Sequence, residues 1–470
     1  MHLKEKKLKI SVFSKMMRYS RRIALSIWLV QSLASPILAH ATPVFSRQTG
    51  QQCITCHAGG QFPELTPFGR TFKLTGYTLG QRVAVPLAVM GVASYTSTKN
   101  TVSDQPSVDF AKDAVALFQT GSVLFGGKIA DKVGMFGQIT YENYASQDPD
   151  TLAWKGHTHA DNIDIRYATQ WTGAGYDWVS GVSLNNNPSV SDVWNTAPAW
   201  MQYVPTGFGF TGPTAQPMVA QLGQQAVGLG AYTLWNNTVY AEVAGYQSAK
   251  GAFSLLSEGD ELETRLRGVN PYVRFALTHD WGNQHAMLGV FGMNASVYQD
   301  PNVAAGPTTQ YRDRGVDAQY QFLADRHTAT GQLSYISESI SGGDVTGVSS
   351  KASDTLRQLR LKGSYIHDAK YGASLTYFNT WGSSDETLYP GAQDDGNGGT
   401  NAIAISGSAA NKPDTRGWIP EIFWIPGQNL RLGAQYYKFD RYNGAASNYD
   451  GAGRGAKGNN TLFVYLWAAY

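Results

Sequence analysis

Thiols are nearly absent from this chain. There are two cysteines in 470 residues, and they stand three positions apart as Cys53 and Cys56. A structural zinc site usually needs four ligands, often a second C-x-x-C or a histidine pair. Here only His57 is close, and the next histidine is His157. Charge is sparse as well, at 15% Asp, Glu, Lys and Arg with a formal balance of +2. Such near-neutrality offers no argument for a nucleic-acid partner. Long hydrophobic runs are missing too, and no apolar stretch reaches the ~20 residues that a membrane-spanning helix needs. Length alone would suggest roughly three soluble domains, but the pattern argues otherwise.

What is present begins with "QQCITCHAGG", residues 51–60. C-x-x-C-H is the attachment motif of c-type haem. The two thiols add across the porphyrin vinyl groups, and the adjacent histidine lies under the iron as its proximal ligand. Cys53 and Cys56 therefore read as the thiols of one covalent haem c, and His57 as its axial ligand. Two other readings of the spacing exist. A thioredoxin-like redox pair needs a βαβ setting, which the flanking sequence does not offer. Half of a zinc site needs the missing ligands.

Residues 1–41 read as a secretory signal peptide. Lys4 to Arg22 make a basic n-region, Ile23 to Leu33 an apolar core too short to span a bilayer, and Ala39-His40-Ala41 a cleavage signal. An N-terminal anchor helix is the rival reading, and Met16 or Met17 an alternative start. Export suits haem c, which is attached beyond the bacterial inner membrane.

After Gly80 the composition shifts to Gly, Tyr, Trp, Asn and Ser, and β-like segments recur. Sixteen lie near 84–97, 113–127, 132–145, 159–172, 177–186, 222–234, 238–248 and 265–279, then 285–299, 311–324, 328–340, 355–367, 371–383, 416–426, 429–442 and 460–470. Tight turns such as Asn236-Asn237 and Gly427-Gln428 alternate with long polar connections at 98–112, 146–158, 187–221, 249–264, 300–310, 341–354, 384–415 and 443–459. Such alternation predicts an even-stranded antiparallel outer-membrane barrel with short periplasmic turns and long extracellular loops. In "GVDAQYQFL", Val316, Ala318, Tyr320 and Phe322 alternate with Asp317, Gln319 and Gln321. One face suits lipid, and the other carries charge and amide. A ladder in lipid must also close, because each backbone N–H and C=O needs a partner there. A soluble sandwich alternates as well, but does not usually keep one side's connections so short over fifteen joins. The final "TLFVYLWAAY" puts Leu462, Val464, Leu466, Ala468 and Tyr470 on one face.

Three parts follow: a leader at 1–41, a monohaem cytochrome c domain at 42–83, and a porin-like barrel at 84–470. About 40 residues are too few for an independent core, so the small domain needs support. Phe62, Leu65, Phe68, Phe72 and Leu74 offer it an apolar lining around the haem. A sixteen-stranded barrel leaves an aqueous lumen in which such a domain can sit as a plug.

"PVFSRQTGQQCITCH", "FPELTPFGRTFKLTGY" and the terminal "NNTLFVYLWAAY" together resemble the fused cytochrome c–porin family of outer-membrane iron oxidases. The resemblance is specific over Pro43 to Tyr77 and architectural beyond it. It implies a monohaem cytochrome plugging a sixteen-stranded porin in the bacterial outer membrane. Electrons would pass from extracellular Fe(II) to a periplasmic cytochrome c or blue-copper protein, an oxidoreductase activity on metal ions. Cys53 and Cys56 would be the thioethers and His57 the proximal ligand. An electron conduit with another donor or direction, and a solute porin gated by the haem domain, are the competing functions.

No further His or Met follows His57 within the cytochrome segment, so a second strong axial ligand would come from the barrel. Met90 is nearest in sequence. Met135, Met201, Met218, Met287 and Met293 are the other methionines of the exported chain, and His157, His159, His279, His285, His327 and His367 the other histidines considered. Loop acids that would attract Fe²⁺ are Asp104, Asp109, Asp148, Asp150, Glu258, Asp260, Glu261, Asp385, Glu386, Asp394 and Asp395. Each is equally an ordinary solvated loop residue.

Overall fold

The computed structural model describes the chain from Val44 to Tyr470 apart from residues 61, 100–114, 149–150, 152, 174, 199–201, 206–211, 213–214, 258–263 and 392–406. The expected leader, Met201, and the acids Asp104, Asp109, Asp150, Glu258, Asp260, Glu261, Asp394 and Asp395 lie outside the described residues.

Sixteen strands form one sheet. They are β1 (Leu87–Thr98), β2 (Ala116–Ala130), β3 (Val133–Gln147), β4 (Trp154–Gly173), β5 (Tyr176–Asn185), β6 (Ala226–Trp235), β7 (Val239–Ser248) and β8 (Asn270–Trp281). The second half comprises β9 (Gln284–Tyr298), β10 (Thr308–Leu323), β11 (His327–Ser341), β12 (Ser353–His367), β13 (Tyr371–Gly382), β14 (Thr415–Gly427), β15 (Leu430–Arg441) and β16 (Thr461–Ala469). Each pairs antiparallel with its sequence neighbours, and β16 pairs with β1 from Met90↔Ala469 to Thr98↔Thr461, which closes the barrel. Closure gives every wall strand a partner on both sides, the condition for a sheet in lipid. The turn at Asn236 and Asn237 carries φ of 49° at both residues, the geometry that two-residue hairpins favour and that asparagine tolerates.

The alternation of side chains decides which solvent the wall faces. Val316 and Tyr320 are 42% and 43% exposed, whereas Asp317 and Gln321, between and beside them on β10, are 0% exposed. The apolar set points outward and the polar set inward. The same holds on β16, where Leu462, Val464 and Leu466 are exposed and Phe463, Tyr465 and Trp467 are buried. Exposed aromatic residues gather at the short-turn ends of strands, among them Trp171, Tyr176, Trp178, Trp281, Tyr371 and Trp424. Such a girdle marks a membrane interface.

Four details differ from the sequence-based expectation. β4 starts at Trp154 rather than 159, so His157 and His159 lie within it. β6 starts at Ala226, because Met218–Gln221 forms a short helix and Leu222 is fully buried beyond it. β8 starts at Asn270, with Leu266 making only an isolated bridge to Val297. The fourth concerns the connection 187–221, expected to face solvent. Residues 187–197 are instead buried throughout, against inward-facing wall side chains. Arg274 on β8 pairs with Asp192 at 3.4 Å and with Asp317 of β10 at 2.6 Å. Arg166 Nη2 donates to the Ser191 carbonyl at 2.8 Å. Further on, the Met218 and Val219 amides donate to Glu338 and Asp313 at 2.6 and 2.7 Å. Polar composition reads as an exposed loop, but a polar barrel interior satisfies the same groups.

Candidate functional site

Residues 44–83 contain three short helices: α1 (Val44–Thr49), α2 (Cys53–Cys56) and α3 (Pro67–Leu74). The single turn of α2 puts Cys53 and Cys56 on one face, as three-residue spacing on a helix does. Its end is fixed by the His57 amide donating to the Cys53 carbonyl at 2.8 Å. The chain then doubles back. The Ala58 amide donates to Glu64 O at 3.0 Å and the Thr66 amide to Cys56 O at 2.9 Å. Thr66 caps α3 by accepting from the Gly69 amide, and Pro67 occupies the first helical position, where its missing N–H costs nothing.

Gly69 is the position that sequence reading missed. A Cβ there would stand 2.1 Å from the Cys56 carbonyl oxygen. Glycine is thus what lets α3 pack directly on the cysteine turn. The sequence offers only its place: a Thr-Pro helix start puts residue 69 in the first turn of α3, without showing what it packs against.

Wall side chains hold this segment at many points. Tyr77 donates to Asp164 of β4 at 2.6 Å, Arg70 to Gln321 of β10 at 2.9 Å, and Tyr232 of β6 to the Leu74 carbonyl at 2.7 Å. Gln428, in the turn between β14 and β15, accepts from the Cys53 amide at 3.2 Å. Lys362 of β12 pairs with Glu64, and Lys73 donates to the Val190 and Asp192 carbonyls of the inserted connection.

Beside α2 lies a mainly apolar cavity. Cys53, Cys56, His57, Phe62, Leu65 and Phe72 line it from the N-terminal segment, and Met90, Leu124, Phe136 and Trp467 from the barrel wall. The Phe62 ring stands 4.1 Å from the His57 ring and 5.6 Å from Trp467. Two residues expected in this lining are elsewhere. Leu74 is buried against Val193, Trp194, Tyr232 and Tyr240, and Phe68 is exposed.

Both thiols are free, and Cys53 is buried. Burial raises both, with Cys56 pushed up to about 11. A reactive dithiol shows the opposite displacement, so the redox-pair reading has no support here. Burial pushes His57 down to about 4, and its Nδ1 is buried without a hydrogen-bond partner. A neutral imidazole is the form that binds iron. Among the described residues no three His, Cys, Asp or Glu side chains come together as a metal cluster, so the zinc reading has no further ligands. One imidazole, two thiols and an apolar slot fit a porphyrin that brings its own four nitrogen donors.

The remaining candidates are scattered. Met90 lines the cavity, whereas Met135 is outside its lining, and Met218, Met287 and Met293 are buried in other lumenal clusters. His157 and His159 stack at 5.7 Å near the long-connection end of β4. His279, His285, His327 and His367 sit at the short turns, and His57 is the histidine that lines the cavity. Of the described loop acids, Asp148 pairs with Lys155, and Asp385 is buried under bonds from Ser349 and Ser350. Glu386 is exposed.

A closed sixteen-stranded antiparallel barrel, polar within and apolar without, defines a transmembrane β-barrel of the porin-like, outer-membrane class. No family model and no curated protein sequence matches the chain. Solved structures aligning with it include OmpF of Salmonella typhi in complex with daunomycin, at 12% identity over 82% of this chain and 97% of that one, with a TM-score of 0.43. Others are the outer-membrane channel DcaP of Acinetobacter baumannii, at 13% identity, 82% and 97% coverage and a TM-score of 0.41, and in-vitro folded OmpT, an outer-membrane protein of Vibrio cholerae, at 9% identity, 82% and 97% coverage and 0.44. Likenesses this distant add nothing to what the closed ladder already establishes.

Proposed function

We infer that this protein is an outer-membrane electron-transfer protein that oxidises extracellular Fe(II) and delivers the electrons to a periplasmic carrier, a cytochrome c or a blue-copper protein. The observation that carries this reading is the Cys53–His57 turn opening on an apolar cavity walled jointly by residues 44–83 and the barrel. Bound there, haem c would supply a one-electron couple between ferric and ferrous iron. Cys53 and Cys56 would hold it covalently, and His57 would hold its iron. Phe62, Leu65, Phe72 and Trp467 exclude water from the site, and burial and ligand identity are levers that set a haem potential. The contacts of Arg70, Tyr77 and Leu74 with the wall anchor residues 44–83 as a plug in the lumen. Oxidising iron outside the cell keeps Fe(III), insoluble near neutral pH, from precipitating within. The resemblance over Pro43 to Tyr77 points the same way.

A solute porin gated by the small domain is the second reading, favoured by a wall of the size that leaves an aqueous channel in porins. Mixing Fe(II) with purified ferric protein tests the first. The visible spectrum should turn ferrous and return to ferric on adding an oxidised periplasmic carrier. Cys53→Ser with Cys56→Ser should lose the haem stain of denatured protein, and His57→Ala should lose the reaction. A haem-loaded protein that ignores Fe(II) but conducts small solutes in liposomes would establish the porin instead.

A further inference from the structure

Resting on the haem reading above, we propose that Met90 of β1 is the second axial ligand of the haem iron. Met90 is buried, points inward from the first wall strand, and lines the same cavity as Cys53, Cys56 and His57. Phe62, whose ring contacts His57, packs against the cluster that contains Met90.

Three other groups of that lining that could ligate iron are engaged. Lys73 donates to the Val190 and Asp192 carbonyls, Tyr77 to Asp164, and Asp192 is paired with Arg274 while accepting from the Trp194, Thr196 and Ala197 amides. The Met90 sulfur accepts one bond, from Gln202 Nε2 at 3.4 Å. That bond orients the thioether and leaves a sulfur lone pair. A thioether needs no deprotonation to bind, and it is a soft ligand suited to haem iron. Paired with histidine it raises the potential, as an acceptor of electrons from Fe(II) requires. The ligation would also join the N-terminal segment to the wall, since His57 belongs to the first and Met90 to the second.

The test uses full-length holoprotein in detergent. Ferric wild type should show the red-end sulfur-to-iron charge-transfer band, and ferrous protein the strongly upfield methionine methyl signal in NMR. Met90→Leu, which conserves volume, should lose both and lower the midpoint potential. Met90→His should stay low-spin without the sulfur band, and Met135→Leu should match wild type. Both signatures surviving in Met90→Leu, or absent from wild type that carries covalent haem, would overturn the ligand alone. Wild type with no covalent haem by the pyridine haemochrome spectrum would overturn the haem reading and the ligand with it.

Discussion

Gly69 does at the scale of one residue what no side chain in its place would permit. Its Cα faces the Cys56 carbonyl so closely that an added methyl meets the oxygen at 2.1 Å, and that atom is backbone. Gly69→Ala should therefore push α3 off the cysteine turn, with a penalty of about 1–3 kcal/mol by the measure of overpacked cores. The expected outcome is reduced covalent haem per barrel, read by haem stain against heat-modifiable gel migration, which should itself stay normal. Equal loss of barrel and haem would show that the substitution acts on the whole fold. The haem proposal was legible in five residues, Cys53 to His57, because c-type attachment is a covalent spacing rule. The packing of Gly69 under that turn was not, because a glycine shows no side-chain pattern to read.

At the scale of elements, the inserted connection after β5 is held by charge. Arg274 lies between Asp192 and Asp317 with all three side chains at 0% exposure. Removing one partner of a buried ion pair costs about 3–5 kcal/mol, because the remaining charge is left unpaired. Arg274→Ala should loosen residues 187–197. A cysteine placed at Ser189, in a Cys53→Ser, Cys56→Ser background, should then react with a membrane-impermeant thiol reagent on cells, and should stay protected when Arg274 is present. Labelling with Arg274 intact would mean the connection faces outward, as its composition alone suggests. Lys73 carries the pH dependence of the same contact. Burial first, then repulsion from Arg166, holds its amine down to about 8 against the attraction of Asp164, Asp192 and Glu242. The undocked lysine binds a proton up to its ordinary value near 10.5, so docking strengthens as pH rises from 8 to 10.5 and is level below 8. Proteolytic release of residues 44–83 should slow across that window, and Lys73→Met should abolish the dependence.

For the whole molecule, the closed ladder predicts a β-rich circular dichroism spectrum, fractionation with outer membrane, and faster gel migration before heating than after. A helical spectrum or a soluble periplasmic protein would contradict the barrel. Asn236-Asn237 and Gly427-Gln428 lie on the short-turn side, so tags there should be unreachable on intact cells, whereas the long connection after β12's hairpin partner β13 should accept them. If residues 44–83 and 187–197 fill the lumen together, the conductance of wild type in a planar bilayer should be small. Deleting 44–83 should raise it several-fold, and an already open wild-type channel would favour the porin reading.

Sequence by itself determined the strand count and the order of short and long connections, since each depends on local spacing: period two along a strand and turn residues between strands; the haem proposal rests on local spacing too, that of C-x-x-C-H. Only the tertiary structure decided which polar segments enter the barrel. A lumen lined by Arg166, Arg274, Asp313, Asp317 and Glu338 accepts backbone and polar side chains as water does, so hydrophilicity cannot separate residues that face solvent from residues that face the wall. The same limit applied to Met90. Its place on β1 was readable, but its place in the wall of the cavity that Cys53 and His57 also line belongs to a barrel that closes by β16 pairing with β1, strands almost 400 residues apart.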